Sequence, residues 1–318
     1  MIHAVEARLA PVVRRTPLLS SPFLDELAGR RVFVKAECLQ HTGSFKFRGG
    51  WAAVSALDET QLANGVIAYS SGNHAQGVAL AAKKHGTSAV IIMPEDAPAL
   101  KIANTRALGA EVVFYNRATE DRDKIGDDMA AARGLTLIKP FNEPQVIAGQ
   151  GTVGLEIAEQ ARAEGIMDAE VLVSCGGGGL TSGIALALEE TAPNFKVRPC
   201  EPEDSDDVAR SLRSGVLTGN AATSKSICDA IITPISGDIT FGIMKKLCGA
   251  GLTVSDGEAM LAMAHAFQRL KIVLEPGGAV ALAAALFRPD DIKSDTVIAV
   301  ATGGNVDAGV FARSLEML

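Results

Sequence analysis

From residue 32 onward, short runs rich in β-branched residues alternate with alanine-rich stretches, and this alternation limits the fold more than any other feature. VFVKAE (32–37), GVIAYS (65–70), SAVIIMP (88–94), EVVFYN (111–116) and LTLIKP (135–140) read as strands, as do EVLVSC (170–175), KVRPCE (196–201), GLTVS (251–255) and DTVIAVAT (295–302). Several are continuous apolar runs, the pattern of parallel strands covered on both faces. Helical runs fall between most of them, including 44–57, a helix opening at Asn73, 98–108 and 119–132. The expectation is an α/β fold of open, three-layer parallel sheets with right-handed crossovers. Residues 65–140 form a self-contained βαβαβαβ block. That predicts a small α/β domain over 63–146, inserted into a larger domain made of 1–62 and 147–318.

Composition removes other classes. Hydrophobic residues make up 47% of the chain, yet no apolar run approaches the ~20 residues a bilayer span needs. The start, MIHAVEARLAPVVRR, has no basic n-region and long apolar h-region; it reads as a short amphipathic helix ended by Pro11. A net charge of −7 argues against nucleic acid as the main partner, because phosphate binding needs a basic face. The five cysteines are scattered with no CxxC pair, which fits reduced thiols and a cytoplasmic location. The five histidines never fall at HxxxH spacing, so no zinc site is expected.

Three glycine-rich turns and one lysine carry the chemistry. In HTGSFKFRGG (41–50), Lys46 stands between Phe45 and Phe47 at the start of a helical run. It is either an ordinary helix-start lysine or a reactive amine. SCGGGGLTSG (174–183) places Gly176, Gly177, Gly178 and Gly179 between a strand and a helix. Four glycines let backbone N–H groups converge at a helix N-terminus, where phosphate is favoured. The spacing fits neither a P-loop nor GxGxxG. SSGNHAQG (70–77) is a second strand-to-helix turn, suited to a carboxylate or simply to a Ser/Asn cap. ATGGN (301–305) puts the Thr302 hydroxyl at a strand's carboxyl end. In EPEDSDD (201–207), Glu201, Asp207 and an intervening carbonyl would offer oxygen ligands to a hard cation, although a solvated acidic loop is the commoner cause of such a run.

HTGSFKFRGG, SSGNHAQG, GGGGL, EPGGAVAL and TGGN, in that order, resemble the fold-type II pyridoxal-phosphate enzymes, in the serine/threonine dehydratase and serine racemase branch. The resemblance runs from Thr16-Pro17 to Asp307. It implies a tryptophan synthase β-like fold, with large and small domains facing a cleft. Lys46 then matches the lysine that holds the cofactor as a Schiff base, and Phe45 the residue against the cofactor ring. Asn73 matches the partner of the cofactor's 3′-oxygen. Ser70, Ser71, Gly72 and His74 match the substrate-carboxylate loop, where Asn73 also lies, and Ser71 the re-face acid/base of the racemases. Gly176 to Gly179 match the phosphate cup, and Thr302 the hydroxyl facing the pyridine nitrogen. Glu201, Ser205 (through its carbonyl) and Asp207 match the branch's divalent-cation site, for Mg2+, Ca2+ or Mn2+.

A Schiff base needs a neutral amine, while a free lysine has a pKa of about 10.4. Burial and a helix N-terminus both disfavour the ammonium. The resemblance therefore implies β-elimination from a 3-hydroxy amino acid of the L-threonine or L-serine type, giving a 2-oxo acid and ammonia. Racemisation of serine or hydroxyaspartate is the alternative; β-replacement, or a nucleotide-binding oxidoreductase or sensor, is more distant. Phe141, where animal serine racemases have asparagine, favours elimination. Ala230 and the run TPISGDITFGI (233–243) depart from the branch, which keeps a polar or acidic substrate such as 3-hydroxyaspartate open. The chain ends soon after TGGN, so isoleucine feedback through a C-terminal regulatory domain is not expected. A homodimer is the expected assembly.

Overall fold

The computed structural model describes residues 1–318 except Ser71, Pro98, Arg117, Ala222 and the side chain of Leu100. In chain order its strands are β1 (Leu18–Ser20), β2 (Arg31–Lys35), β3 (Val66–Tyr69), β4 (Ala89–Pro94), β5 (Glu111–Tyr115) and β6 (Thr136–Leu137), then β7 (Ala169–Ser174), β8 (Phe195–Pro202), β9 (Leu252–Val254) and β10 (Thr296–Val300). They form two sheets. One has the order β5-β4-β3-β6 and is wholly parallel. The other has the order β1-β2-β10-β7-β8-β9 and takes strands from both ends of the sequence. It is parallel except for β1, which runs antiparallel to β2 at the edge. The apolar runs explain the sheets: β4 and β7 are buried along their whole length, as strands with helices on both faces must be.

Nine expected strands are present, most with ends moved by one or two residues. Two details differ. LLS (18–20) forms an edge strand that three residues are too few to announce. LTLIKP contracts to two residues, Thr136–Leu137. Pro140 has no N–H for a ladder, and the chain leaves the sheet there to reach Lys46.

The helix Lys46–Val54 is fixed by charges and by close backbone approach. Arg48, fully buried, donates to both oxygens of Glu37 at 2.8 Å and to Glu156 at 2.7 and 3.0 Å. Lys35 donates to Glu156 at 2.5 Å. Two cations thus balance two carboxylates, tying the lysine helix to the long helix Pro144–Ala163. On the other side lies the helix Asn73–His85. A Cβ at Gly77 would come within 2.9 Å of the Lys46 carbonyl. Only glycine lets these two helices meet so closely, and the contact joins them near their N-terminal ends.

Candidate active site

Lys46 is the first residue of its helix. Its half-buried side chain donates from Nζ to the Pro140 carbonyl at 3.0 Å, and Nζ lies 5.3 Å from the centre of the Phe45 ring. Burial alone pulls its pKa down to about 8. The segment before it is zipped to the end of β10. The Phe45 N–H donates to the Thr302 carbonyl at 3.2 Å, and Ser44 bridges to Gly303. Thr302 is buried beside it.

The four glycines follow β7 and open the helix Gly179–Thr191. A Cβ on Gly177 would lie 2.2 Å from the Phe141 ring, and one on Gly176 would lie 2.9 Å from the Ile231 carbonyl. Gly178 has φ +87°, in the left-handed region that side chains other than glycine avoid. The cup is therefore lined by backbone at a helix N-terminus, with Phe141 at its wall. The Thr240 hydroxyl steadies it by donating to the Gly177 carbonyl at 2.7 Å.

Gly72 caps the helix Asn73–His85, and its N–H donates to the Ser70 hydroxyl at 3.1 Å. Ser71, expected here as an acid/base, lies outside the described residues. The buried His74 ring is hydrogen-bonded at Nε2 to the Ile138 carbonyl, 2.9 Å away. A carbonyl can only accept, so Nε2 carries the proton, and Nδ1 is an acceptor with no partner among the described residues. Desolvation, then the Lys46 charge, push this imidazole down to about 3. What the turn offers a carboxylate is thus its helix-end amides, not the His74 ring.

Two neighbours were not singled out from sequence. Glu275 is fully buried, and its Oε1 accepts from Asn73 Nδ2 at 2.5 Å. Desolvation raises its carboxyl to about 7, against the Lys101 charge and the Asn73 bond. Lys101 Nζ donates to Asp229 at 2.9 Å and stands 3.9 Å from Glu275 Oε2. The motif EPGGAVAL pointed at Glu275, but a glutamate before a proline reads first as a helix cap.

Glu201, Ser205 and Asp207 are all buried. Glu201 accepts from the Val208 and Ala209 amides at 2.9 and 2.7 Å. Asp207 accepts from Asn220 at 2.8 Å and from the Ser236 amide at 3.0 Å. Desolvation raises both carboxyls, and Asp207's charge pushes Glu201 further up. Among the described residues, no three His, Cys, Asp or Glu side chains gather around one point.

A backbone-lined cup at a helix N-terminus and a partly buried lysine of lowered pKa fit pyridoxal phosphate. The helix-end turn at Asn73 would take an amino acid's carboxylate. This is the arrangement of the fold-type II pyridoxal-phosphate enzymes. Residues 9–303 match the family described as "Pyridoxal-phosphate dependent enzyme", and the chain belongs to it. Its closely similar relatives include an L-threo-3-hydroxyaspartate ammonia-lyase from Pseudomonas sp, 44% identical over 99% of this chain and 97% of that protein. Another is a serine racemase from Schizosaccharomyces pombe, 40% identical over 99% of this chain and 96% of the relative. Among solved structures, maize serine racemase superposes with a TM-score of 0.92 at 36% identity, covering 99% of this chain and 95% of that one. The chain is a pyridoxal-phosphate-dependent lyase acting on a small amino acid. No described helix is long and apolar enough to cross a membrane.

Proposed function

We propose that this enzyme removes water from a 3-hydroxy amino acid, and that 3-hydroxyaspartate is its preferred substrate. The observation that carries the elimination is Lys46: its amine is held on the Pro140 carbonyl at 3.0 Å, and desolvation lowers its pKa to about 8. It can therefore shed its proton close to neutral pH and act as a base. The preference for an acidic substrate is supported by the relatives from Pseudomonas sp and Saccharomyces cerevisiae, 44% and 43% identical, both named L-threo-3-hydroxyaspartate ammonia-lyases.

The roles are as follows. Lys46 would hold the cofactor, and its amine is the base that would take the proton from the substrate's Cα. Gly176 to Gly179 would hold the cofactor phosphate with their amides. Phe45, Asn73 and the Thr302 hydroxyl would hold the cofactor's ring, its 3′-oxygen and its pyridine nitrogen, respectively. Ser70, Gly72 and the first amides of the helix from Asn73 would receive the substrate carboxylate, and Ser71 would serve as the re-face acid/base. Bound pyridoxal phosphate supplies the electron sink for the broken Cα–H bond. The 3-hydroxyl leaves as water, and a second water is consumed on hydrolysis, so the products are a 2-oxo acid and ammonia. A hydroxyl at position 302, unlike a carboxylate, would not hold a proton on the pyridine nitrogen, which would suit elimination better than racemisation.

The further readings are these. Residues 63–146 form the small domain, and 1–62 with 147–318 the large one. Glu201, Asp207 and the Ser205 carbonyl hold a divalent cation, which would relieve the repulsion between two buried carboxylates. The enzyme is a homodimer, and its five free thiols suit a reducing cytoplasm.

The test is 2-oxo acid release over a panel of 3-hydroxyaspartate isomers, L-serine, D-serine and L-threonine, with chiral analysis of the remaining substrate. Highest kcat/KM on a 3-hydroxyaspartate isomer is expected. Preference for L-threonine would overturn the substrate assignment, and racemisation faster than 2-oxo acid release would overturn the elimination.

A further inference from the structure

Lys101 lies on the helix Ala99–Ala107, between strands of the four-stranded sheet. Its two partners belong to the other sheet's part of the chain: Asp229 in the loop before Ile231, and Glu275 at the cap of the helix Pro276–Phe287. The Lys101 side chain is 9% exposed and that of Glu275 2%, so both charges sit largely out of water. They flank a cavity of about 240 Å3 whose other polar walls are Asp229, Asn305, Asp307 and Arg313.

The contacts continue inward. Glu275 Oε1 accepts from Asn73 Nδ2 at 2.5 Å. Asn73 Oδ1 accepts from Asn305 Nδ2 at 2.7 Å, and the same Nδ2 donates to the Thr42 carbonyl at 2.8 Å. Thr42 stands four residues before Lys46. This chain of bonds fixes the Asn73 amide in one orientation. One Nδ2 hydrogen is used on Glu275 and the other is left for a ligand oxygen. Glu275 Oε2, by contrast, has no hydrogen-bond partner among the described residues. The nearest compensation for its charge is the Lys101 ammonium.

We propose that Lys101 is a positioning residue for cofactor binding: its ammonium seats the buried Glu275 carboxylate, and Glu275 in turn holds the Asn73 amide in its binding orientation. A carboxylate accepts from Asn73 with either oxygen free of protons, whereas a protonated carboxyl competes as a donor. The groups that set Glu275's charge are Lys101, which favours ionisation, and Asp229, which opposes it. This role concerns the cofactor alone and stands whichever substrate the enzyme prefers.

The experiment follows the cofactor's visible absorption band in the holoenzyme without substrate, over about pH 5.5 to 9. In the wild type the band is expected to change with a midpoint near 7, the value to which Glu275 is raised. In Lys101→Met, which keeps the stem and removes the charge, the midpoint should rise by about one unit or more. The cofactor's dissociation constant at pH 7 should weaken roughly tenfold. Lys101→Arg should restore both. In Glu275→Gln the pH step should vanish, and adding Lys101→Met to it should change little further. A wild-type titration in Lys101→Met, or additive effects in the double variant, would overturn the proposal even if thermal stability fell.

Discussion

The Lys46 amine donates to the Pro140 carbonyl, and the residue after that proline, Phe141, packs against the glycine cup at Gly177. Two consecutive residues thus touch both the base and the phosphate site. They do so because Pro140 ends the ladder of β6 and turns the chain out of its sheet. Disturbing the cup should therefore reach the lysine.

Gly177→Ala puts a Cβ 2.2 Å from the Phe141 ring, a contact that only displacement of Phe141 relieves. Cofactor affinity should fall at least about tenfold, with the Lys46–Pro140 bond lost alongside it. Gly178→Ala adds a left-handed backbone at φ +87°, costing about 1–2 kcal/mol of stability as well. Equilibrium dialysis of cofactor and urea midpoints separate the two effects. Unchanged affinity in both variants would mean the phosphate binds elsewhere.

The Lys46 amine predicts a pH dependence. Its pKa is lowered by burial to about 8 from 10.5, so the neutral, reactive form gains as pH rises through 8. Cofactor capture by apoenzyme should accelerate with a midpoint near that value. The stability sign agrees: between the folded and unfolded values the unfolded chain binds more protons. This group's penalty on the apoenzyme is therefore full below the folded value and relieved as pH climbs towards 10.5. Stopped-flow capture rates against pH measure this. A midpoint near the ordinary lysine value would show that the amine is not buried before cofactor binds.

Arg48→Met should be among the most destabilising single changes. It leaves the buried carboxylates of Glu37 and Glu156 with Lys35 as the remaining cation of the cluster. Removing one partner of a buried ion pair costs about 3–5 kcal/mol. Guanidinium unfolding of the apoenzyme should show that loss. A change within about 0.5 kcal/mol, the size of an ordinary surface substitution, would mean the network adds little to the packing around it.

The proposed cation site predicts a thermal shift. Mg2+, Ca2+ or Mn2+ should raise the melting temperature of EDTA-treated holoenzyme, and Asp207→Asn should abolish that gain. Differential scanning calorimetry with and without metal tests this. Equal melting temperatures for metal-free and metal-supplemented protein would leave Glu201 and Asp207 satisfied by their amide and Asn220 donors alone.

Most of the fold was legible because parallel strands buried on both faces leave continuous apolar runs, as SAVIIMP and EVLVSC do. Turn chemistry made the glycine cup and the Asn73 helix start equally plain. β1 escaped notice because a three-residue edge strand has no period to read. Lys101 and Glu275 escaped for a different reason. Each looks ordinary locally, a lysine on an amphipathic helix and a glutamate at a cap. Their meaning arises only where a segment from each sheet meets, 174 positions apart in sequence, counting 275 minus 101. The His74 ring shows a third limit: the turn could be read, but not that Ile138 would claim its donor.

The central claim is that the Lys46 amine both anchors the cofactor and takes the substrate's Cα proton. The direct measurement is the visible spectrum and 2-oxo acid release of Lys46→Ala, reconstituted with excess pyridoxal phosphate and supplied with 3-hydroxyaspartate, L-serine and L-threonine. Loss of the protein-bound visible band, together with loss of 2-oxo acid release on every substrate the wild type accepts, is the predicted result. Turnover by Lys46→Ala at the wild-type rate would contradict it.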